Sequence, residues 1–239
     1  MQLRPHQIDA LEAMWDNDKG QIIVPTGGGK TMCMIDDALL YLTGRSKTIV
    51  VVAPRILLAE QLSSEFLEKI DNVEVLHVHS GDTHHFNTTN VDMISQWHER
   101  NGNKIIFTTY HSLNRLVEAD VDVDVIYFDE AHNSVQKNFI ESVEFYSLYA
   151  KRCYFFTATP KHSKTPFKVG MNDEDIYGKV LINVPAPELV EQGFILSPKV
   201  TIKKIDETDD SRFRHEKDCD NVLDSIDDCN KDKILICAR

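Results

Sequence analysis

Six short runs rich in Val, Ile, Phe and Tyr punctuate the chain: QIIVPT, KTIVVVAP, VEVLHVHS, KIIFTTY, VDVIYFDE and RCYFFTATP. Several are almost continuously apolar, the pattern of strands buried on both faces of a parallel sheet. Between them the apolar spacing changes to that of a helix. Ile35, Ala38, Leu39 and Leu42 fall at i, i+3, i+4 and i+7, and Leu58, Leu62, Phe66 and Ile70 recur every four residues, so each set forms one stripe. Strands alternating with helices predict βαβ crossovers and an α/β fold: a doubly wound, mostly parallel sheet with helices on both faces. Ligands of such sheets lie beyond the carboxyl ends of the strands, and the unusual polar residues of this chain cluster there.

Gly27, Gly28 and Gly29 follow one of these strands and open an amphipathic helix in PTGGGKT. Without Cβ atoms, backbone N–H groups can converge on phosphate oxygens, and the helix N-terminus favours the same negative charge. Lys30 would then reach the β- and γ-phosphates, and the Thr31 hydroxyl would ligate Mg²⁺. The strict spacing G-x-x-x-x-G-K-[ST] is not met, because its first position is Val24. A flexible glycine-rich turn is the alternative, disfavoured by the strand, triplet, Gly-Lys-Thr and helix occurring together.

About a hundred residues on, VIYFDEAHN places Asp129 and Glu130 at the end of an apolar strand, hence at the same sheet edge. Adjacent acids there suit two tasks: Asp129 to hold Mg²⁺, and Glu130 to orient and deprotonate an attacking water. Alone, the pair reads equally well as a solvated acidic turn. Together with the glycine loop it describes a site for NTP hydrolysis.

PTGGGKT, DEAH and TATP occur in the order of motifs I, II and III of superfamily 2 helicases, which the chain therefore resembles. LRPHQIDAL is similar to that family's adenine-reading motif, VVAPRILLAEQ to motif Ia, and IIFTTYHSL to motif Ib and the segment before it. IYGKVLINVPAPELVEQGFILSP resembles the stretch that closes the first motor domain. The resemblance implies a RecA-like P-loop NTPase that uses ATP and Mg²⁺, with Thr26 to Thr31 as the phosphate loop. It implies that Gln7, with Arg4, reads adenine, which suits an amide that both donates and accepts. It also implies that His132, Thr157 and Thr159 couple hydrolysis to movement. By spacing alone, RPHQ is simply a helix start with Pro5 in its first turn.

Nucleic-acid contacts are expected from Pro54 and Arg55 at a helix start, and from Thr108, Thr109, Tyr110 and Ser112 as donors to phosphates. Without the family resemblance these read as an exposed polar loop. Motifs Ia and III differ from the DEAD-box pattern, and GGGKT and DEAHNS differ from the DEAH-type RNA helicases. LRPHQ, TTYHSL and GFILSP look more like DNA repair, recombination and restriction translocases, so DNA is expected over RNA. The alternatives are a motor subunit of a restriction or remodelling complex, an RNA helicase, and a non-motor nucleotide-switch adaptor.

The remaining composition narrows the setting. The net charge of −12 argues against a protein coated with basic patches but leaves room for a local groove, with modest, salt-sensitive affinity. No apolar run approaches the ~20 residues of a membrane span, and no signal-peptide pattern opens the chain. The odd number of cysteines, without metal-like spacing, suggests a reducing cytoplasmic or nuclear-type compartment and not secretion. His77, His79, His84 and His85 crowd one strand and turn. His77 and His79 share a face, but with no Cys or convincing acidic partner nearby, a partly exposed strand end is expected over a metal site. Residues 1–205 are expected to form an N-terminal RecA-like domain. Residues 206–239 are expected to form an acidic linker with one exposed helix, and then the first strand (KILICAR) of a second RecA-like domain of a longer chain. Alone, residues 1–239 are expected to bind ATP–Mg²⁺ weakly, hydrolyse it slowly and not unwind duplexes.

Overall fold

A computed structural model describes residues 3–165, 168–197 and 214–229. Seven strands form one sheet: β1 (Lys19–Ile23), β2 (Thr48–Ala53), β3 (Glu74–Val78), β4 (Lys104–Thr109), β5 (Val125–Phe128), β6 (Arg152–Thr157) and β7 (Val180–Asn183). Their order is β3-β4-β2-β5-β6-β1-β7, and every pair is parallel. The six apolar runs supply β1 to β6. The seventh, β7, lies at an edge with its ends exposed.

Helices fill the crossovers: α1 (Pro5–Trp15), α2 (Lys30–Tyr41), α3 (Ile56–Leu67), α4 (Val91–His98), α5 (Leu113–Glu118), α6 (Ile140–Tyr149), α7 (Glu174–Tyr177) and α8 (Ala186–Glu191). Successive strand residues point to opposite faces, and two cores result. Val50, Val52, Ile106, Ile126, Phe128 and Phe155 pack on Trp97, Leu113, Leu116 and Tyr146. Ile49, Val51, Ile105, Phe107, Tyr127 and Phe156 pack on Met14, Met34, Ala38, Leu62 and Phe66. The fold is thus doubly wound, as the alternating pattern predicts.

The α2 stripe differs from expectation in one respect. Leu39 is exposed while Asp37 is fully buried, because Asp37 accepts hydrogen bonds from Arg152 Nη2 (3.0 Å) and from the Tyr127 hydroxyl (2.6 Å). A charge thus takes a place that an apolar period would assign to a leucine.

Compact packing separates a unit spanning Met1–Ser197 from a second, Pro198–Arg239. In the second, helix α9 (Arg214–Cys229) is described; the expected KILICAR strand lies outside the described residues. Among the described residues, no helix is long and apolar enough to cross a membrane.

Candidate nucleotide site and adjoining cleft

The chain leaves β1 at Ile23, and the Val24 amide still donates to the Thr157 carbonyl (3.0 Å) before the glycines begin. Gly27 and Gly29 have φ of +79° and +86°, the left-handed region that a side chain disfavours. Gly29 is the N-cap of the 12-residue α2 and makes no side-chain cap, so the first amides of α2 are left for a ligand.

Three side chains from the start of α1 hold this loop by its carbonyls. Arg4 Nη1 donates to Gly27 O (3.1 Å), His6 Nε2 to Gly28 O (2.7 Å) and Gln7 Nε2 to Gly29 O (3.1 Å). A carbonyl can only accept, so His6 carries its proton on Nε2. Within the loop the Gly28 amide donates to Pro25 O (2.9 Å), and Gly29 O also accepts from the Met32 amide of α2 (3.2 Å). Gln7 Oε1 also accepts from the Arg4 amide (2.8 Å), the capping box of α1. Adenine reading by Gln7 would use its second N–H and second lone pair. His6 was not among the expected site residues; its only sequence signal is its place within RPHQ. Phe194, from the segment after α8, lies under the Arg4 guanidinium at 4.9 Å and beside the His6 ring at 5.9 Å.

Lys30 opens α2 and is buried. Its Nζ lies 3.5 Å from Val24 O and 3.8 Å from Glu130 Oε1. Asp129 continues the ladder one residue past β5, its amide donating to Val52 O (2.8 Å). Burial first, and then the neighbouring Glu130 charge, push the Asp129 carboxyl up to about 6, against the pull of Lys30. A divalent cation in front of it would reverse that shift. Glu130 adopts φ 44°, ψ 52°, an uncommon backbone for a non-glycine residue, just before a 3-10 turn at Ala131–Asn133. The Asn133 side chain holds it there by donating to Glu130 O (2.9 Å).

His132 joins this site to the end of β6. Its Nδ1 lies 3.4 Å from Glu130 Oε2 and 3.1 Å from Thr157 Oγ1, while its Nε2 faces Asn133 Nδ2 at 3.3 Å. Asn133 donates there, so a neutral His132 carries its proton on Nδ1 and donates to Thr157. Thr157 Oγ1 in turn accepts from the Thr159 amide (3.2 Å). Glu130, His132, Thr157 and Thr159 therefore form one connected polar chain.

The residues expected to contact nucleic acid divide into two groups. Pro54, Arg55, Thr109 and Ser112 line a cleft of about 560 Å³ at the carboxyl ends of β2 and β4, together with His79 and His111. Thr108 and Tyr110 do not face it. Thr108 is fully buried and donates to Val78 O (2.9 Å), and Tyr110 is buried with its hydroxyl on Asp129 O (2.9 Å). Neither hydroxyl is available to a surface phosphate. Tyr110 instead ties the end of β4 to the acidic pair.

Residues 1–162 match the family described as "Type III restriction enzyme, res subunit". No curated protein matches in sequence. Among solved structures, the chain is similar to a nuclease-deletion mutant of the Type ISP restriction-modification enzyme LlaGI in complex with a DNA substrate mimic (23% identity, TM-score 0.64, 81% of this chain and 21% of that one). It is also similar to the Pyrococcus furiosus Hef helicase domain (22%, 0.53, 74% and 37%) and to the UvsW helicase from bacteriophage T4 (15%, 0.54, 75% and 60%). The chain thus spans about a fifth of the restriction enzyme it matches. At these identities the structural likeness concerns the fold, a RecA-like helicase domain. The chain belongs to the type III restriction enzyme res-subunit family, within the superfamily 2 helicases.

Proposed function

We propose that this chain is the ATP-hydrolysing motor domain of a DNA translocase of the restriction type. The observation that carries the reading is the approach of Lys30 to Glu130, which brings the glycine loop and the acidic pair to one place. The residues fit ATP and Mg²⁺: left-handed glycines and a helix start without a side-chain cap would suit a polyanion, and the buried Asp129 carboxyl, raised by burial and by Glu130, would suit a cation. Gly27 to Thr31 would cradle the phosphates, with Thr31 and Asp129 holding the metal. Bound ATP–Mg²⁺ supplies the scissile phosphoryl group and neutralises part of its charge.

Lys30 places a positive charge against the loop and keeps Glu130 oriented. Glu130 accepts the proton of the attacking water, and His132 passes the resulting change in charge to Thr157 and Thr159. The Arg55 cleft would hold strand phosphates, contacts that position a strand without reading its sequence. DNA is favoured over RNA because the LlaGI structure carries a DNA substrate mimic. ATP turnover with single-stranded, duplex and branched DNA and with RNA tests the proposal. Stimulation by DNA, abolished in Lys30→Ala, supports it; turnover unaffected by Lys30→Ala, or stimulation by RNA alone, contradicts it.

A further inference from the structure

We propose that Glu60, His77 and His79 form a transition-metal site, best suited to Zn²⁺, beside the Arg55 cleft and separate from the nucleotide site. Sequence spacing offered the two histidines but no acid; the fold supplies one from α3. His77 and His79 lie on β3 and just past its end and are buried, at 0% and 1% exposure, so the expected partly exposed strand end is not what forms.

Three ligand atoms close a nearly equilateral triangle. His77 Nδ1 and His79 Nε2 are 3.1 Å apart, and Glu60 Oε1 lies 3.2 Å from the first and 3.3 Å from the second. A tetrahedral ion with bonds of about 2.0–2.1 Å spaces its ligands roughly 3.3–3.4 Å apart. His79 Nδ1 accepts from the Gly81 amide, so in the ion-free cluster its Nε2 carries the proton and donates to His77 Nδ1, while Glu60 Oε1 is buried with no aligned donor among the described residues. Leaving that oxygen buried and unmatched is costly, and a cation removes the cost.

Two ligands are oriented from behind, as metal ligands usually are. His77 Nε2 faces Ser63 Oγ at 3.0 Å, and Glu60 Oε2 accepts from Thr83 Oγ1 at 3.0 Å. With the ion on Nδ1, His77 carries its proton on Nε2 and donates to Ser63. His79 is the exception. Its Nδ1 accepts from the Gly81 amide at 3.2 Å, but an ion on Nε2 moves the ring proton to Nδ1. Two N–H groups would then face each other, so loading the site must turn the Ser80–Gly81 peptide. Ser80 and His79 line the Arg55 cleft. Occupancy of the site therefore sets the shape of one cleft wall and pins the segment after β3 to α3.

The test is stoichiometry and coordination, read without reference to ATPase activity. After chelator treatment, the chain is titrated with ZnCl₂ against a chromophoric chelator and with CoCl₂ by visible absorption. We expect one Zn²⁺ per chain, tetrahedral-type Co²⁺ bands, and a rise in Tm of about 5–10 °C at free Zn²⁺ near 100 times Kd. Binding should be lost in Glu60→Gln and His79→Gln, and kept in Asp129→Asn and in His84→Gln. Ser63→Ala retains all three ligands and should weaken binding about 10- to 100-fold, which keeps the test informative if a ligand variant fails to fold. Absence of 1:1 binding would overturn the site. So would binding that survives both ligand variants, or that vanishes with Asp129 or with the exposed His84.

Discussion

The Lys30 ammonium lies 3.8 Å from the Glu130 carboxylate, across a hundred residues of sequence. Lys30 begins the helix after β1, and Glu130 follows β5, two strands away in the sheet. Parallel strands put their carboxyl ends on one edge, so the two meet without any special excursion of the chain. Glu130→Gln keeps the shape and removes the base. ATP turnover should fall about 10²- to 10⁴-fold while nucleotide binding is largely kept, as measured by steady-state turnover beside equilibrium binding.

Gly29 tests the loop geometry. At φ +86°, any L-residue there carries strain of about 1–2 kcal/mol, and its Cβ would also run into the Gln7 side-chain amide. Gly29→Ala should weaken nucleotide binding and lower stability by at least that amount. Calorimetric binding with a denaturant melt checks both, and a variant with wild-type affinity would contradict the role given to the loop.

The buried cluster under α2 is a separate matter of stability. Asp37→Ala strands Arg152, whose guanidinium otherwise pairs with Asp37 at 3.0 Å, and leaves the Tyr127 hydroxyl without its acceptor. Removing one partner of such a pair costs about 3–5 kcal/mol, visible as an earlier urea midpoint with an unchanged slope.

Asp124 governs part of the acid sensitivity. Burial alone would raise its carboxyl, but the Lys151 hydrogen bond (2.7 Å), the Thr48 amide (2.9 Å) and the charges of Lys151 and Lys47 outweigh burial and hold it below the usual range. A carboxyl lowered in the folded state adds stability above its unfolded pKa of about 4, and loses it as pH falls through the folded value. Asp124→Asn should therefore be less stable at neutral pH and show a shallower loss of stability below about pH 4, measured by thermal melts across pH.

Much of this was legible in the sequence because parallel strands buried on both faces favour nearly continuous apolar runs, and β2 (TIVVVA) and β5 (VIYF) carry them. The glycine loop and the acid pair were legible because strand ends fix which edge they share. Side-chain direction at those ends was not. Thr108 and Tyr110 belong to the strand run KIIFTTY, but only the fold shows that the pleat of β4, which ends at Thr109, turns both of them inward. Asp37 and Leu39 exchange their expected places because Arg152, far along the chain, meets one and not the other. Glu60 carries no signal in the sequence that ties it to the histidines; only the fold brings α3 over His77 and His79.

Mn²⁺·ATP in place of the magnesium complex offers a direct distance readout, because the paramagnetic ion broadens amide resonances only nearby. We predict that Gly29 to Thr31 and Asp129 to Glu130 broaden together at one equivalent, and that Asp129→Asn relieves both. Broadening confined to either segment, with the other untouched, would mean that the two do not share a metal, and the motor assignment would fail.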